Sequence, residues 1–359
     1  MSRPYYHELN RLRGFAILLV VVGHSIIRFP LNIMDMPPYN TIYDYIYSFH
    51  VPLLFMISGL CYGFGSVISY KDFIKRKALR LIVPYCAFCL VVLVSKLLLS
   101  SLVNRKVDGI SEGLYSIVFE GGFYWFLYTL FIIFLIFPFL GRIAKRTSVC
   151  IVGIGIIVLY FADLYPRILC LHNTGYYLIY FYIGYALAPH YEKIRDGALR
   201  FYLPILLVSL IPFILFGKND ITQNKIEALL VPFLGIVLSF LIIVPVKIRV
   251  FNYFMDRFGD YSLQIYLIES LVLVITRHVF INYLQITKPV VLILLIVLAK
   301  ISISTTMAHT ILQKFAVSRL ICGMPPEGKL RVSEVKSERR SPAQFEGSLT
   351  GPLLKANVH

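Results

Sequence analysis

Long apolar runs separated by short charged loops recur along nearly the whole chain, and they leave few folds open to it. Crossing the hydrocarbon core of a bilayer takes about 20 apolar residues in a helix, and only helices or closed barrels satisfy their backbone there. Hydrophobic residues make up 58% of the chain and charged residues only 15%, with a mean hydropathy of +0.75. Together these predict an all-α, polytopic integral membrane protein with about ten transmembrane helices, multi-pass in the cell (plasma) membrane. The formal charge of +16 raises the question of nucleic acid. Its placement argues against that partner, because most of the Lys and Arg fall in segments on one side of the expected topology. That is the positive-inside bias, and it puts both termini in the cytoplasm.

The expected spans cover about 14–29, 46–68, 81–103, 123–140, 149–161, 175–188, 201–217, 226–246, a ninth beginning at 259, and 289–312. The first apolar block lacks a small-residue cleavage site and is expected to remain as a span. Pro52 and the small residues Ser58, Gly59 and Gly63 suit a kinked, closely packed second span. Residues 1–324 form the expected transmembrane domain. The stretch 325–359 is polar, shows no apolar period and reads as a disordered cytoplasmic tail. Cys86 and Cys89 form a CxxC with no second pair and no nearby histidine, and the eight histidines are scattered. No metal is implied.

Within this frame the stretch Arg11 to His24, RLRGFAILLVVVGH, carries the most chemistry. Eleven residues at about 100° each bring Arg13 and His24 to within about 20° of one helix face, separated by a rise of about 16 Å. The cation then lies at the membrane surface and the imidazole near mid-depth. An ionisable group inside a span is a functional candidate by default. A histidine bonded to a backbone carbonyl inside a packed bundle is the competing reading. The loop KDFIKRKALR at 71–80 is the most basic short segment, with Arg76, Lys77 and Arg80 at helical spacings that suit phosphate binding. Trp125 opens the fourth span, either in an interfacial aromatic belt or in a pocket wall. Glu269 is a carboxylate embedded in the ninth span.

Five stretches carry a resemblance: RLRGFAILLVVVGH at 11–24, FHVPLLFMISGL at 49–60, KRKALRLIVPY at 75–85, YWFLYTLF at 124–131 and GDYSLQIYL at 259–267. In this order they resemble the acyltransferase-3 family of membrane acyltransferases, most closely its sugar O-acetyltransferase branch. The resemblance implies that His24 is the essential histidine and Arg13 its paired basic residue. It places the family's Arg-x-x-Arg motif on Lys77 and Arg80, where it is linked to acyl-CoA phosphates. Lysine at 77 keeps the charge and loses bidentate geometry. Asn10 stands where the family often has aspartate, and Glu269 where its late motif often ends in histidine.

On this reading the chain is an O-acyltransferase that moves an acyl group, acetyl first, from acyl-CoA to a sugar hydroxyl in a surface polysaccharide or lipid-linked glycan. His24 is the expected general base, worth about 10² to 10⁴ in rate. Arg13, Arg76, Lys77 and Arg80 hold the donor, acyl-CoA (acetyl-CoA). Ser58 and Trp125 are candidates for stabilising the oxyanion or lining the substrate site, and Glu269 for orienting the histidine, binding the sugar or joining helices. A proton-coupled transporter or flippase of a sugar or glycolipid is the alternative, since it too would use an intramembrane His24 and Glu269. Oligomeric state is not legible.

Overall fold

The computed structural model describes residues 6–65, 69–98, 109–218, 224–310 and 316–323, and among them the regular structure is entirely helical. The helices in chain order are α1 His7–Ser25, α2 Tyr39–Gly63, α3 Tyr70–Leu98, α4 Ile110–Tyr115, α5 Trp125–Arg146, α6 Val149–Ala162 and α7 Leu171–Leu187. They continue as α8 Tyr191–Arg200, α9 Tyr202–Phe216, α10 Lys225–Ile243, α11 Arg249–Asp260, α12 Ser262–His278, α13 Pro289–Thr310 and α14 Ala316–Ile321. The expected tail at 325–359 lies outside the described residues.

A helix stands at each of the ten expected positions, but they do not all have the length and composition of a span. Among the described residues six helical stretches are long and apolar enough to cross a membrane. A seventh is reached if Leu171–Arg200 and Tyr202–Phe216, bent by 88°, form one broken span. Two shortfalls have plain causes. The first turns of α1 hold Glu8, Arg11 and Arg13, which dilutes its apolar character. At 14 residues α6 is only about 21 Å long, short of a hydrocarbon core of about 30 Å.

Several boundaries also moved. The first helix starts seven residues earlier than expected and ends at Ser25 rather than near Phe29. After it the chain leaves helical geometry while still inside the protein, with Ile26, Ile27 and Ile33 buried against Leu292 and Ile296 of α13. The second helix starts at Tyr39 and runs unbroken across Pro52 to Gly63, so part of the expected outer loop is helical. Two segments expected as basic cytoplasmic loops are helices too. In α11, Ile248, Val250, Tyr253 and Phe254 at and near its start are exposed while Met255 and Gly259 are buried, the pattern of a helix lying along a surface. The other is α8, which carries Lys193, Arg195 and Arg200.

Two backbone contacts fix how the bundle is assembled. A Cβ on Gly14 would fall 2.1 Å from the Met255 carbonyl oxygen, and one on Gly259 would fall 2.2 Å from that of Asn10. These glycines therefore let α1 and α11 meet backbone to backbone. Gly59 and Gly184 do the same for α2 and α7, against Phe181 and Met56. Small residues at such crossings allow the close approach that packs helices in lipid. The result is a core of α1, α2, α3, α5, α7, α10 and α12, in which α1 is held by α2, α11, α12 and α13.

Candidate active site

The last turn of α1 carries His24, whose side chain keeps 36% of its surface exposed, whereas Glu269 on α12 keeps 1%. Nδ1 of His24 lies 2.6 Å from Oε1 of Glu269. An ionised carboxylate only accepts, so the imidazole donates Nδ1–H to it and turns Nε2 into the ring's acceptor. The other carboxylate oxygen faces the ammonium of Lys300 on α13, which is fully buried. Lys300 also donates to the Val21 carbonyl at 3.2 Å and to the Ser25 hydroxyl at 3.4 Å. Although His24 ends its own helix, its partners lie in the middle of α12 and α13. The histidine therefore sits level with the interior of those helices.

The ring has aromatic neighbours on α2. Tyr47 lies 6.3 Å from His24 between ring centroids and 4.8 Å from His50. His50 is itself satisfied, with Nδ1 donating to the Ile46 carbonyl at 2.6 Å. That is the carbonyl-bonded reading considered for His24, and it belongs to the other histidine.

Along the same face of α1 as His24, toward its N-terminus, the Arg13 guanidinium donates to the Cys61 thiol of α2 at 3.5 Å. Arg80 of α3 is exposed and lies within electrostatic range of Arg13. The Lys77 ammonium sits over the Phe134 ring of α5, 3.6 Å from its centroid, with Phe73 at 5.5 Å. Arg76 is exposed. The helix is anchored at this end by Asn10, whose amide donates to Asp260 at 2.9 Å and to the Asp256 carbonyl at 3.0 Å. Desolvation holds the Asp260 carboxyl above its ordinary pKa, against the opposing bond from Asn10.

Ser58 and Trp125 turn out differently from one another. The Ser58 hydroxyl donates to the Leu54 carbonyl of its own helix at 2.8 Å, a back-bond common for serine in apolar helices. Trp125 faces the bundle instead of a lipid belt, stacked on Tyr177 at 5.5 Å, and Tyr177 stacks on Phe55 at 4.6 Å. Phe55 meets Phe126, and Phe126 and Tyr124 both meet Tyr266. Tyr124 is buried and donates to the Leu267 carbonyl at 2.7 Å, with Ser270 at 2.9 Å. An aromatic wall therefore runs from Trp125 to the turn of α12 that carries Glu269.

The pattern that defines the acyltransferase-3 family, described as an acyltransferase domain, matches residues 6–309. The chain belongs to the acyltransferase-3 family. Arg13, Arg80 and the His24–Glu269 contact all lie within the matched domain. The chain is also similar to Nodulation protein NolL of Mesorhizobium japonicum, 25% identical over 221 residues, 60% of this chain. The match spans 57% of that relative's length. No solved structure matches.

The family's chemistry is acyl transfer, which needs a base, a held donor and a positioned acceptor. The geometry of this acyltransferase domain offers a carboxylate-oriented imidazole, Arg13 about 16 Å away along α1, and an aromatic wall that ends at the turn of α12 carrying Glu269. Among the described residues no cluster of His, Cys, Asp and Glu is arranged to hold a metal ion. Lys300, Tyr47 and Tyr124 were missed from sequence. For Lys300 the signal was present, since a lysine in the middle of a 22-residue apolar helix is itself a functional pointer. For the tyrosines there was none, because the chain holds 25.

Proposed function

We propose that the protein is a plasma-membrane O-acyltransferase, with both termini in the cytoplasm. It moves an acyl group, acetyl first, from acyl-CoA to a sugar hydroxyl of a surface polysaccharide or lipid-linked glycan. The observation that carries this reading is the 2.6 Å contact between His24 and Glu269 at one end of the helix face whose other end holds Arg13. A buried carboxylate on Nδ1 leaves Nε2 to take the proton of the acceptor hydroxyl as that oxygen attacks the thioester carbonyl. The proton then passes to the departing CoA thiolate, leaving an ester and free CoA. Arg13 and Arg80 hold the donor phosphates by charge-assisted hydrogen bonds, with exposed Arg76 beside them and Lys77 contributing charge from its seat on Phe134. The span of about 16 Å suits an extended pantetheine arm. The aromatic wall from Trp125 to Tyr266 supplies the flat apolar faces against which a sugar ring packs, with few polar groups to orient it.

The test uses inverted membrane vesicles containing the protein, supplied with labelled acetyl-CoA at the cytoplasmic face. Label should enter a base-labile ester on glycan or lipid-linked sugar with the wild type and not with His24→Gln at matched protein level. Absence of label with any common acyl-CoA, together with His24-dependent movement of a sugar or glycolipid across the membrane, would replace the enzyme with a transporter.

A further inference from the structure

Lys300 is the one fully buried lysine of the described residues, and the acyl-transfer steps above make no use of it. It stands in the middle of α13 with its ammonium against Glu269. Both charges are out of water, at 0% and 1% exposure. A carboxylate so buried is tolerated only if paired and hydrogen-bonded. Glu269 has the imidazole on one oxygen and Lys300 on the other. The remaining protons of Lys300 go to Val21 and Ser25, on the turn of α1 that presents His24. One side chain on α13 therefore touches the carboxylate that orients the histidine and the helix end that carries it.

We infer that Lys300 is a positioning residue that keeps Glu269 a carboxylate and thereby fixes His24 as its Nδ1–H tautomer. The chemical reason is symmetrical. A carboxylate accepts from Nδ1–H and leaves Nε2 a lone pair. A neutral carboxyl donates to Nδ1 instead and drives the ring proton to Nε2, where it blocks proton abstraction. Without a cation on its second oxygen, Glu269 takes a proton from bulk water rather than stay charged in apolar surroundings. Tyr47 and His50 of α2, Tyr124 at the start of α5 and Tyr266 of α12 also face this cluster, and all are neutral in their ordinary forms. The positive charge comes from α13.

This inference rests on His24 being the base, and its test separates the two claims. Protein labelled with ¹⁵N-histidine is placed in lipid nanodiscs, and the His24 resonances are assigned by their loss in His24→Gln. The wild type and Lys300→Arg should show the Nδ1–H tautomer, and Lys300→Met should lose it. The double variant Lys300→Met/Glu269→Gln leaves no unpaired buried charge, so it should fold even if Lys300→Met alone does not; its tautomer should match that of Glu269→Gln. In the vesicle assay Lys300→Met should lower kcat by about 10²-fold or more, with acyl-CoA KM within about twofold. Lys300→Arg should restore part of the rate. An Nδ1–H signal that survives in Lys300→Met overturns the inference, as does equal loss of rate in both variants with the tautomer unchanged. A wild type with the Nδ1–H tautomer and no acyl transfer would sink the enzyme and leave the role of Lys300 standing.

Discussion

Two sets of charged contacts hold α1, one at each end, and they differ almost only in how much water reaches them. Near the N-terminus Arg11 pairs with Asp256 at 3.2 Å and Glu8 with Arg195 at 3.1 Å, all four side chains being partly exposed. At the C-terminus His24, Glu269 and Lys300 form a chain in which the last two are sealed from solvent. Exposed ion pairs are worth about 0.2–1 kcal/mol, because solvent screens them and both side chains lose freedom. Breaking a buried pair by removing one member costs about 3–5 kcal/mol, since it strands the other charge. The same helix is thus fastened loosely at one end and in an all-or-none way at the other. On the proposed function, that suits a site where a bulky charged donor enters beside Arg13 while the reacting end must be held to a fraction of an ångström.

The sharpest way to break this comparison is at Glu269. Glu269→Ala strands Lys300 and should lower stability by about 3–5 kcal/mol, seen as a fall in Tm in detergent and reduced protein in the membrane. His24→Gln removes a side chain that is already one-third exposed, and should leave Tm nearly unchanged while acyl transfer falls by about 10²–10⁴-fold. If both variants lost stability alike, the histidine would be a structural strut and its catalytic assignment would fail.

How much of this was open to the sequence follows from the same physics. The apolar runs placed the helices because burying backbone in lipid leaves the chain little choice. Arg13, His24 and Glu269 each stood out as charges in apolar surroundings. Nothing local could join His24 to Glu269, 245 residues apart, or show that Lys300 closes the chain between them. The loops fared worst. Lys247, Arg249 and Arg257 read as loop residues, whereas the apolar residues among them, Val250, Tyr253 and Phe254, give α11 an exposed apolar side. Gly14 and Gly259 were visible as letters of two separate motifs, and only the fold shows that each exists to admit the other's helix.

A smaller effect should appear at the donor end. On the proposed reading, Arg13→Gln and Arg80→Gln each remove one charge-assisted contact to phosphate, worth about 1.5–3 kcal/mol. The expected result is a rise of about 10–150-fold in acyl-CoA KM, with kcat changed less. Cys61 provides a second reading of the same site, since its thiol is exposed and lies 3.5 Å from Arg13. Alkylation of Cys61, followed by peptide mapping to separate it from exposed Cys86 and Cys150, should slow when acetyl-CoA is added. Unaltered labelling at saturating donor would move the donor site away from these arginines.

The smallest effects belong to the two exposed pairs, and salt distinguishes them from everything else. Arg195→Gln and Arg11→Gln should each cost below about 1 kcal/mol and leave acyl transfer within about twofold. Arg195 is held protonated by Asp196 first and Glu8 second, so its share of the contact does not titrate away at working pH. Screening does weaken it, because the Debye length shrinks from about 10 Å at 0.1 M salt to about 3 Å at 1 M. The gap in Tm between wild type and either variant should therefore narrow toward zero at 1 M salt. The gap between wild type and Glu269→Ala should persist, since no counter-ion reaches a side chain that is 1% exposed. A salt-insensitive loss at Arg195 would mean that this end of α1 is also closed to water, and that the donor reaches Arg13 by another route.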